Sequence, residues 1–335
     1  MKTHMNCSTI AVKTLGLVLL PGLIFLSTCK KDKLIETINP APTGNNNNNN
    51  PPVEDSVSTY QSLQEFFTQN DAPAQLFTIN PALYNMVTGS KGGKIIIPAN
   101  SLVDSLGNYP SGNVNIQYRE IYSVKDMILS DKPTTSFGNI LVSGGEFFLK
   151  ITASGGALDI IPGQYLEIII PTDTFISGMQ VFGEMADTFG NLNWVQQDSI
   201  TAFVTNDPWD DYAVYISDLN YNWINCDYFW YNPNPKTTVT LNFASNPSET
   251  LDMSAYLVFT DINSVYGLYP YLSTSAQAYN IPETTTPTAV AIGVGVTSKK
   301  LYFAKTSFAV TTNFTTTMTL TPVTTEELKA ALDSL

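Results

Sequence analysis

The sequence predicts an all-β protein: two tandem antiparallel β-sandwiches, opened by a short helix and closed by another. Three observations carry this. From Gln75 onward, short runs rich in Val, Ile, Phe and Tyr alternate with Gly, Pro, Asn and Asp, the punctuation of strands and turns. The apolar spacing of a helix is missing across that region, which disfavours a parallel α/β sheet. Thr and Val are enriched in the second half, as strands prefer.

The elements follow in order. Residues 1–28 carry Lys2 and Lys13, no acidic residue, an apolar run over residues 14–26, and small Ser27 and Thr28. That is the layout of a signal peptide. The run is 13 residues long and is interrupted by Pro21-Gly22, too short for a membrane span of about 20 residues. Cys29 closes Leu26-Ser27-Thr28-Cys29, and Lys30-Lys31-Asp32 follows. Residues 29–57 read as a lipidated Cys29 and a disordered tether. Asn45 to Asn50 are consecutive asparagines between Pro40, Pro42, Pro51 and Pro52, a composition that buries too little apolar surface to fold. As a coil, residues 30–57 span about 30 Å, and about 90 Å fully stretched.

Residues 58–206 form the expected first sandwich with its leading helix. Leu63, Phe66 and Phe67 make one apolar face of a helix over 59–69. Strands are read at 94–98, 113–118, 146–152 and 165–171. Turns are read at Asp104-Ser-Leu-Gly107, Ser143-Gly-Gly145 and Ser154-Gly-Gly156. A boundary falls at Asn206-Asp207-Pro208. Residues 207–335 form the second sandwich, also Ig-like, with strands at 212–217, 237–243, 254–260, 288–295, 300–304 and 314–321. Thr324-Thr-Glu-Glu327 fits a capping box ahead of Leu328, Ala331 and Leu332, which closes the chain with a helix.

Composition excludes several chemistries. His4 is the only histidine and lies in the leader, so the mature chain has no Ser-His-Asp or Cys-His site and no His-ligated zinc. With Cys7 in the leader and Cys29 lipidated, Cys226 is the sole thiol. No intrachain disulfide or cysteine metal site can form. The whole chain has 16 basic and 29 acidic residues; losing Lys2 and Lys13 leaves 14 against 29, or −15. Arg119 is the only arginine. Such a surface repels phosphate backbones, so nucleic acid is not an expected partner. The charge reads as solubility or, more sharply, divalent-cation binding, but no ordered calcium loop is present. Asp207, Asp210 and Asp211 are the densest acidic group and a weak metal candidate. The plainer reading is a solvated interdomain turn. No cofactor is expected.

The segment ending at Cys29 resembles the lipobox of bacterial lipoproteins, in which the thiol is acylated and becomes the mature N-terminus; Thr28 departs from the usual Gly, Ala or Ser. The resemblance implies a palmitate-type lipid anchor in the outer membrane, with several acyl chains holding it firmly. A second resemblance rests on Gly92-Gly-Lys-Ile-Ile-Ile-Pro-Ala-Asn100, Tyr118-Arg-Glu-Ile-Tyr122, Asp126-Met-Ile-Leu129, Pro133-Thr-Thr-Ser136 and Ser143-Gly-Gly-Glu-Phe147. These resemble a module of Bacteroidota-type lipoproteins. The second half, with Trp223-Ile-Asn-Cys-Asp-Tyr228 and the closing helix, resembles their partner domain. Residues 92–171 are more remotely similar to the sandwich module of netrin receptors and ankyrins, which mediates protein contacts. Neither resemblance brings a catalytic motif. Asp55-Ser-Val57, Asp104-Ser-Leu106 and Asp198-Ser-Ile200 resemble the O-glycosylation acceptor of such bacteria.

Five aromatics stand between Trp223 and Tyr231, followed by Asn-Pro-Asn-Pro. Aromatic faces beside Asn and Asp suit sugar stacking, so Trp223, Asn225, Tyr228, Trp230 and Tyr231 are the candidate ligand platform. Alternation along a strand splits them. Trp223, Asn225, Phe229 and Tyr231 are placed on one face, and Tyr228 and Trp230 with Asp227 on the other. The competing reading puts one face in the core and the other over an edge. Cys226 reads as a small buried hydrophobe. Asp187-Thr-Phe-Gly190 and Asp173-Thr-Phe175 lack the Asp-Thr-Gly order of aspartic proteases and read as hairpin corners. Glu120, Glu146, Glu167 and Glu184 are candidates for a hydrolytic carboxylate pair by residue type alone.

The expectation is a lipid-anchored outer-membrane lipoprotein, surface-exposed or periplasmic. It is expected to act as a non-enzymatic binding, adhesion or envelope-assembly module for a protein or glycan. A carboxylate-based glycan hydrolase is the alternative.

Overall fold

A computed structural model describes residues 57–154, 156–188, 191–199, 201–208, 211–270 and 273–335. The expected leader, Cys29 and nearly all of the expected tether lie outside the described residues, as do Gly190, Ile200 and Asp210. The described chain is all-β and antiparallel in every pairing but one, with three short helices. Among the described residues no helix is long and apolar enough to cross a membrane.

Two sheets face each other in the first sandwich. The larger runs in the order Gln75–Ile79, Val114–Ile121, Asn139–Ala153, Trp223–Phe229, Gln180–Ala186 and Leu192–Gln196, with Thr135–Ser136 and Gly156–Ala157 paired to the long Asn139–Ala153 strand. The smaller is ordered Ala202–Asn206, Tyr212–Ile216, Leu166–Ile170, Lys94–Ile97 and Asn85–Thr88. Alternation does the work: Val114, Ile116 and Tyr118 from one sheet meet Ile95, Ile97, Ile168 and Val214 from the other in one buried core.

The second module is one seven-stranded sheet: Ser264–Leu268, Leu251–Phe259, Thr288–Gly295, Leu301–Ser307, Thr315–Pro322, Lys236–Ser245 and Ser275–Pro282. Thr315–Pro322 and Lys236–Ser245 run parallel. The sheet's shortest pairing is Tyr302↔Pro322 and Phe303↔Thr321. Its two end strands come together, and the Tyr279 N–H donates to the Tyr266 hydroxyl at 3.4 Å. Leu241, Leu257, Tyr266, Ile281, Ala291 and Leu320 fill the enclosed core.

The domain boundary differs from the one read at 206/207. Tyr212–Ile216 and Trp223–Phe229 are inner strands of the first sandwich's two sheets, so that module extends through Phe229. The leading segment departs too. Thr59 bridges Lys300, and the Ser58 carbonyl accepts from Leu301 N at 2.8 Å. Helix α1 (Leu63–Asn70), capped by Ser62 at Glu65 N, and helix α3 (Thr325–Asp333), with both halves of the capping box at Thr324 and Glu327, enter a third core. That core joins Phe66, Phe67 and Leu328 to Val290 and Ile292 of the second module and to Phe182 and Trp194 of the first. Helix α2 (Val124–Leu129), which the strand pattern hid, adds Met127 and Ile128 to it.

Ser143-Gly-Gly145 is not a turn. It lies inside the long strand as a bulge: Cys226 pairs with Gly145 and Asp227 with Ser143, leaving Gly144 without a cross-strand partner. A Cβ at Gly144 would stand 2.8 Å from Tyr212 Cε2, and one at Gly145, where φ is +134°, 2.8 Å from Tyr122 Cδ1. Glycine is required here because two tyrosine rings lie directly on the backbone.

Candidate functional site

The face of the large sheet turned toward the second module carries three cross-strand rows. Arg119, Phe148 and Trp223 form the first, Ile121, Glu146, Asn225 and Phe182 the second, and Ser143, Asp227 and Gln180 the third. Over the first row opens a cleft of about 810 Å³ lined by α1, the segment 130–132 and the strand Leu251–Phe259. Asp71, Arg119, Asp131, Lys132, Glu184 and Asp252 bring charge to it.

Both of those cations are engaged. Arg119 donates to Asp71 and to the Ala72 carbonyl at 3.1 Å. Lys132 Nζ sits 3.3 Å from Glu184 Oε2 and 4.8 Å over the Trp223 ring, a cation–π contact. Asp131, just past α2 with φ at +49°, accepts from the Tyr256 hydroxyl at 2.6 Å. Burial pushes its carboxyl up, opposed by that hydroxyl and by Lys132. Asp131 belongs to the first module and Tyr256 to the second, so their bond ties the two together across the cleft.

Beneath Lys132 and Trp223 lies a buried polar group. Glu146, Asn225 and Asp227 have no solvent exposure. Asn225 Nδ2 donates to Asp227 Oδ2 at 2.7 Å and to Glu146 Oε1 at 3.4 Å, while Ser143 Oγ donates to Asn225 Oδ1 at 3.2 Å. Glu146 Oε2 and Asp227 Oδ1 have no hydrogen-bond partner. Burial raises both carboxyls well above the ordinary range. At Glu146 the neighbouring Asp227 raises it further while Lys132 opposes; at Asp227 the nearby Ser143 hydroxyl and the Asn225 amide oppose.

A second opening, of about 430 Å³, reaches Ser143 and Gly144 and is lined by Tyr122, Tyr212, Tyr228, Asp173, Asp261 and Asn263.

The five platform residues do not form one row. Trp223 is 7% exposed, in the floor of the large cleft. Asn225 is buried behind it, and Tyr228 lines the second opening. Trp230 packs at 5.5 Å on Phe259 against the second module's core. Tyr231 alone stands free, at 85% exposure. Asp227 shares the face of Asn225, contrary to the split read from the sequence, as their 2.7 Å hydrogen bond requires. Cys226 is buried on the opposite face, in the first core.

The remaining candidates are dispersed. Asp207 and Asp211 close the hairpin between Ala202–Asn206 and Tyr212–Ile216, with Asp211 N donating to Asp207 Oδ1 at 2.9 Å. They form a turn within one sheet, not an interdomain one. Asp187 likewise closes a hairpin, accepting from Asn191 N at 2.9 Å. Glu167 accepts from the Tyr215 hydroxyl at 2.8 Å in the small sheet. Glu120 faces the first core, across the sheet from Glu146, so the four glutamates converge in no single cleft.

The motifs behind the family resemblance come together structurally. The buried Glu120 accepts from Lys91 N at 3.0 Å, Gly93 N at 2.9 Å, Gln75 Nε2 at 2.8 Å and the Tyr122 hydroxyl at 3.2 Å. It locks the Gly-Gly loop to the Tyr-Arg-Glu-Ile-Tyr strand. Thr134 and Thr135, in the Pro-Thr-Thr-Ser segment, buckle the modules together through Val265 N at 2.8 Å and Gly267 N at 3.1 Å.

Asp71, Asp131, Lys132 and Asp252 were not singled out from the sequence. They come from segments far apart in the chain, and nothing local marks them. No protein-family model and no curated protein matches the chain.

Proposed function

We propose that this chain is a lipid-anchored outer-membrane lipoprotein, tethered through acyl chains on Cys29, that acts as a non-enzymatic binding module for an envelope protein or glycan. One observation carries the binding part: a cleft of about 810 Å³ whose walls come from both modules, floored by Trp223 and rimmed by charges already held in pairs. Such clefts at module junctions are where ligands are usually held. A mixed polar and aromatic lining favours recognition of a polar ligand. The anchor rests on the lipobox-like residues Leu26 to Cys29.

The test is a glycan and envelope-peptide array probed with wild type and with Asp252→Arg, a rim change in the cleft. Binding that the variant loses supports the proposal; ligands held equally by both proteins sink it. Metabolic labelling with palmitate, compared with Cys29→Ser, tests the anchor. Protease shaving of intact and of permeabilised cells assigns the leaflet face.

The hydrolase alternative draws on one observation. Asp131, Glu184 and Asp252 line the same cleft, and Asp131 has the raised carboxyl of a general acid. Release of sugar from an array glycan, abolished by Asp131→Asn while binding persists, would decide for it.

A further inference from the structure

Glu146 and Asp227 are two fully buried carboxylates held by one amide, each with an oxygen that bonds nothing. Burying such a pair without compensation is costly. Lys132 is committed to Glu184 and stacked on Trp223, and it is the one cation whose charge is felt at Glu146. The pair is therefore either held as neutral acids, as burial favours, or balanced by positive charge beyond what Lys132 supplies.

We propose that Glu146, Asp227 and Asn225 form a binding site for one hard divalent cation, calcium or magnesium, with Ser143 supporting Asn225. The donor geometry is the main argument. A half-turn of the Asn225 amide, whose two ends have nearly the same shape, places Oδ1 where Nδ2 stands. Three oxygens then converge: Asn225 Oδ1 would be 2.7 Å from Asp227 Oδ2 and 3.4 Å from Glu146 Oε1. Oxygens around calcium or magnesium at about 2.1–2.5 Å lie about 3.0–3.5 Å apart along the edges of an octahedron; the Glu146 separation falls in that range, and the Asp227 one is about 0.3 Å short of it, so Asp227 must draw back to admit an ion. The same rotation gives Ser143 Oγ, 3.2 Å from the other end of the amide, an N–H to accept. The two free carboxylate oxygens supply further ligands.

The donors also select the ion. Every one is an oxygen, and the carboxylates carry two charges, which suits calcium or magnesium and not a soft metal. Cys226 lies on the opposite face of the strand, and among the described residues no three His, Cys, Asp or Glu side chains gather as a conventional metal site. The bulge at Gly144 brings Ser143 opposite Asp227, and of these four residues Ser143 alone lines the second opening. The ion would join the long strand to Trp223–Phe229 directly beneath the large cleft. Its presence does not depend on what that cleft binds, so the two ideas fail separately.

The experiment uses the mature chain stripped with a chelator and then titrated with calcium, magnesium or terbium. Thermal melting should rise by about 5 °C at a hundredfold excess over Kd. Glu146→Gln and Asp227→Asn should fold and lose that rise. Terbium luminescence excited through tryptophan, competed away by calcium and saturating at one ion per chain, needs no variant and covers the case in which either one fails to fold. Wild type with neither a shift in melting nor sensitised luminescence overturns the proposal. So does a rise that survives undiminished in both variants, since the ion then binds elsewhere.

Discussion

Removing the Glu120 carboxylate should unlock the first sandwich, and the structure sets the size of the effect. Glu120→Ala leaves the Lys91 and Gly93 N–H groups without their acceptor. An unsatisfied buried donor costs about 1–3 kcal/mol, so the pair amounts to about 4 kcal/mol. In a protein of this size that is a fall in Tm of about 8–16 °C. Gly89 sharpens the test. A Cβ there would lie 2.3 Å from Glu120 Oε2, 2.5 Å from its Cδ and 2.6 Å from Oε1, its three nearest atoms. Four hydrogen bonds pin that carboxylate, so it cannot yield. Gly89→Ala alone should cost about 1–3 kcal/mol through overpacking. In the Glu120→Ala background the obstruction is gone and the same change should cost almost nothing. Urea unfolding of the four proteins gives the coupling energy. A loss below about 1 kcal/mol for Glu120→Ala, or an undiminished cost of Gly89→Ala in the double variant, would refute the lock.

Other outcomes follow from the same structure. Trp223→Ala should destabilise by about 3–5 kcal/mol, because Trp223 is buried in the joining core. Tyr231→Ala, at an exposed ring, should stay within about 0.5 kcal/mol; equal unfolding midpoints for these two variants would contradict the placement. Asp131 has its carboxyl raised by burial, so the folded state holds the proton more tightly than the unfolded one. Its contribution is present below the ordinary carboxylate range and is lost as pH rises through the folded value. Melting from pH 4 upward should therefore show wild type losing ground to Asp131→Asn, and parallel curves would contradict this. Glu249 behaves oppositely. Burial raises its carboxyl, but hydrogen bonds from Ser298, Thr297 and Tyr302 outweigh that and hold it at about 2, against an ordinary 4.5. Its advantage over Glu249→Gln should be full above pH 4.5 and vanish as pH falls toward 2, as melting curves in acid will show.

Local chemistry was legible at the C-terminal helix but not at α2, whose Ser123 cap stands among strand-like residues. The Thr324–Glu327 capping box opens α3 as its sequence reads, because both halves of a box are satisfied within one turn of helix, whereas α1 starts at Leu63 behind the Ser62 cap, later than the 59 read from its apolar spacing. Strand positions from Lys94 to Ile97 and from Thr288 to Gly295 were likewise visible, since their runs of Ile, Val and Ala are bounded by turn residues.

The sequence by itself determined the all-β class and the terminal helices, and it holds the lipobox-like residues Leu26 to Cys29 on which the anchor proposal rests. Tertiary structure decided which strands are neighbours. Pairing joins residues far apart, and no local signal reports it, so Trp223–Phe229 was placed in the wrong module. Ser143-Gly-Gly145 reads as a turn, but Tyr122 and Tyr212, packed onto the bare backbone, make it a bulge within a strand. The candidate sites follow the same rule. Glu146, Asn225 and Asp227 converge because the bulge sets that register, and Asp131 faces Tyr256 because the third core fuses two modules that the sequence presented as separate.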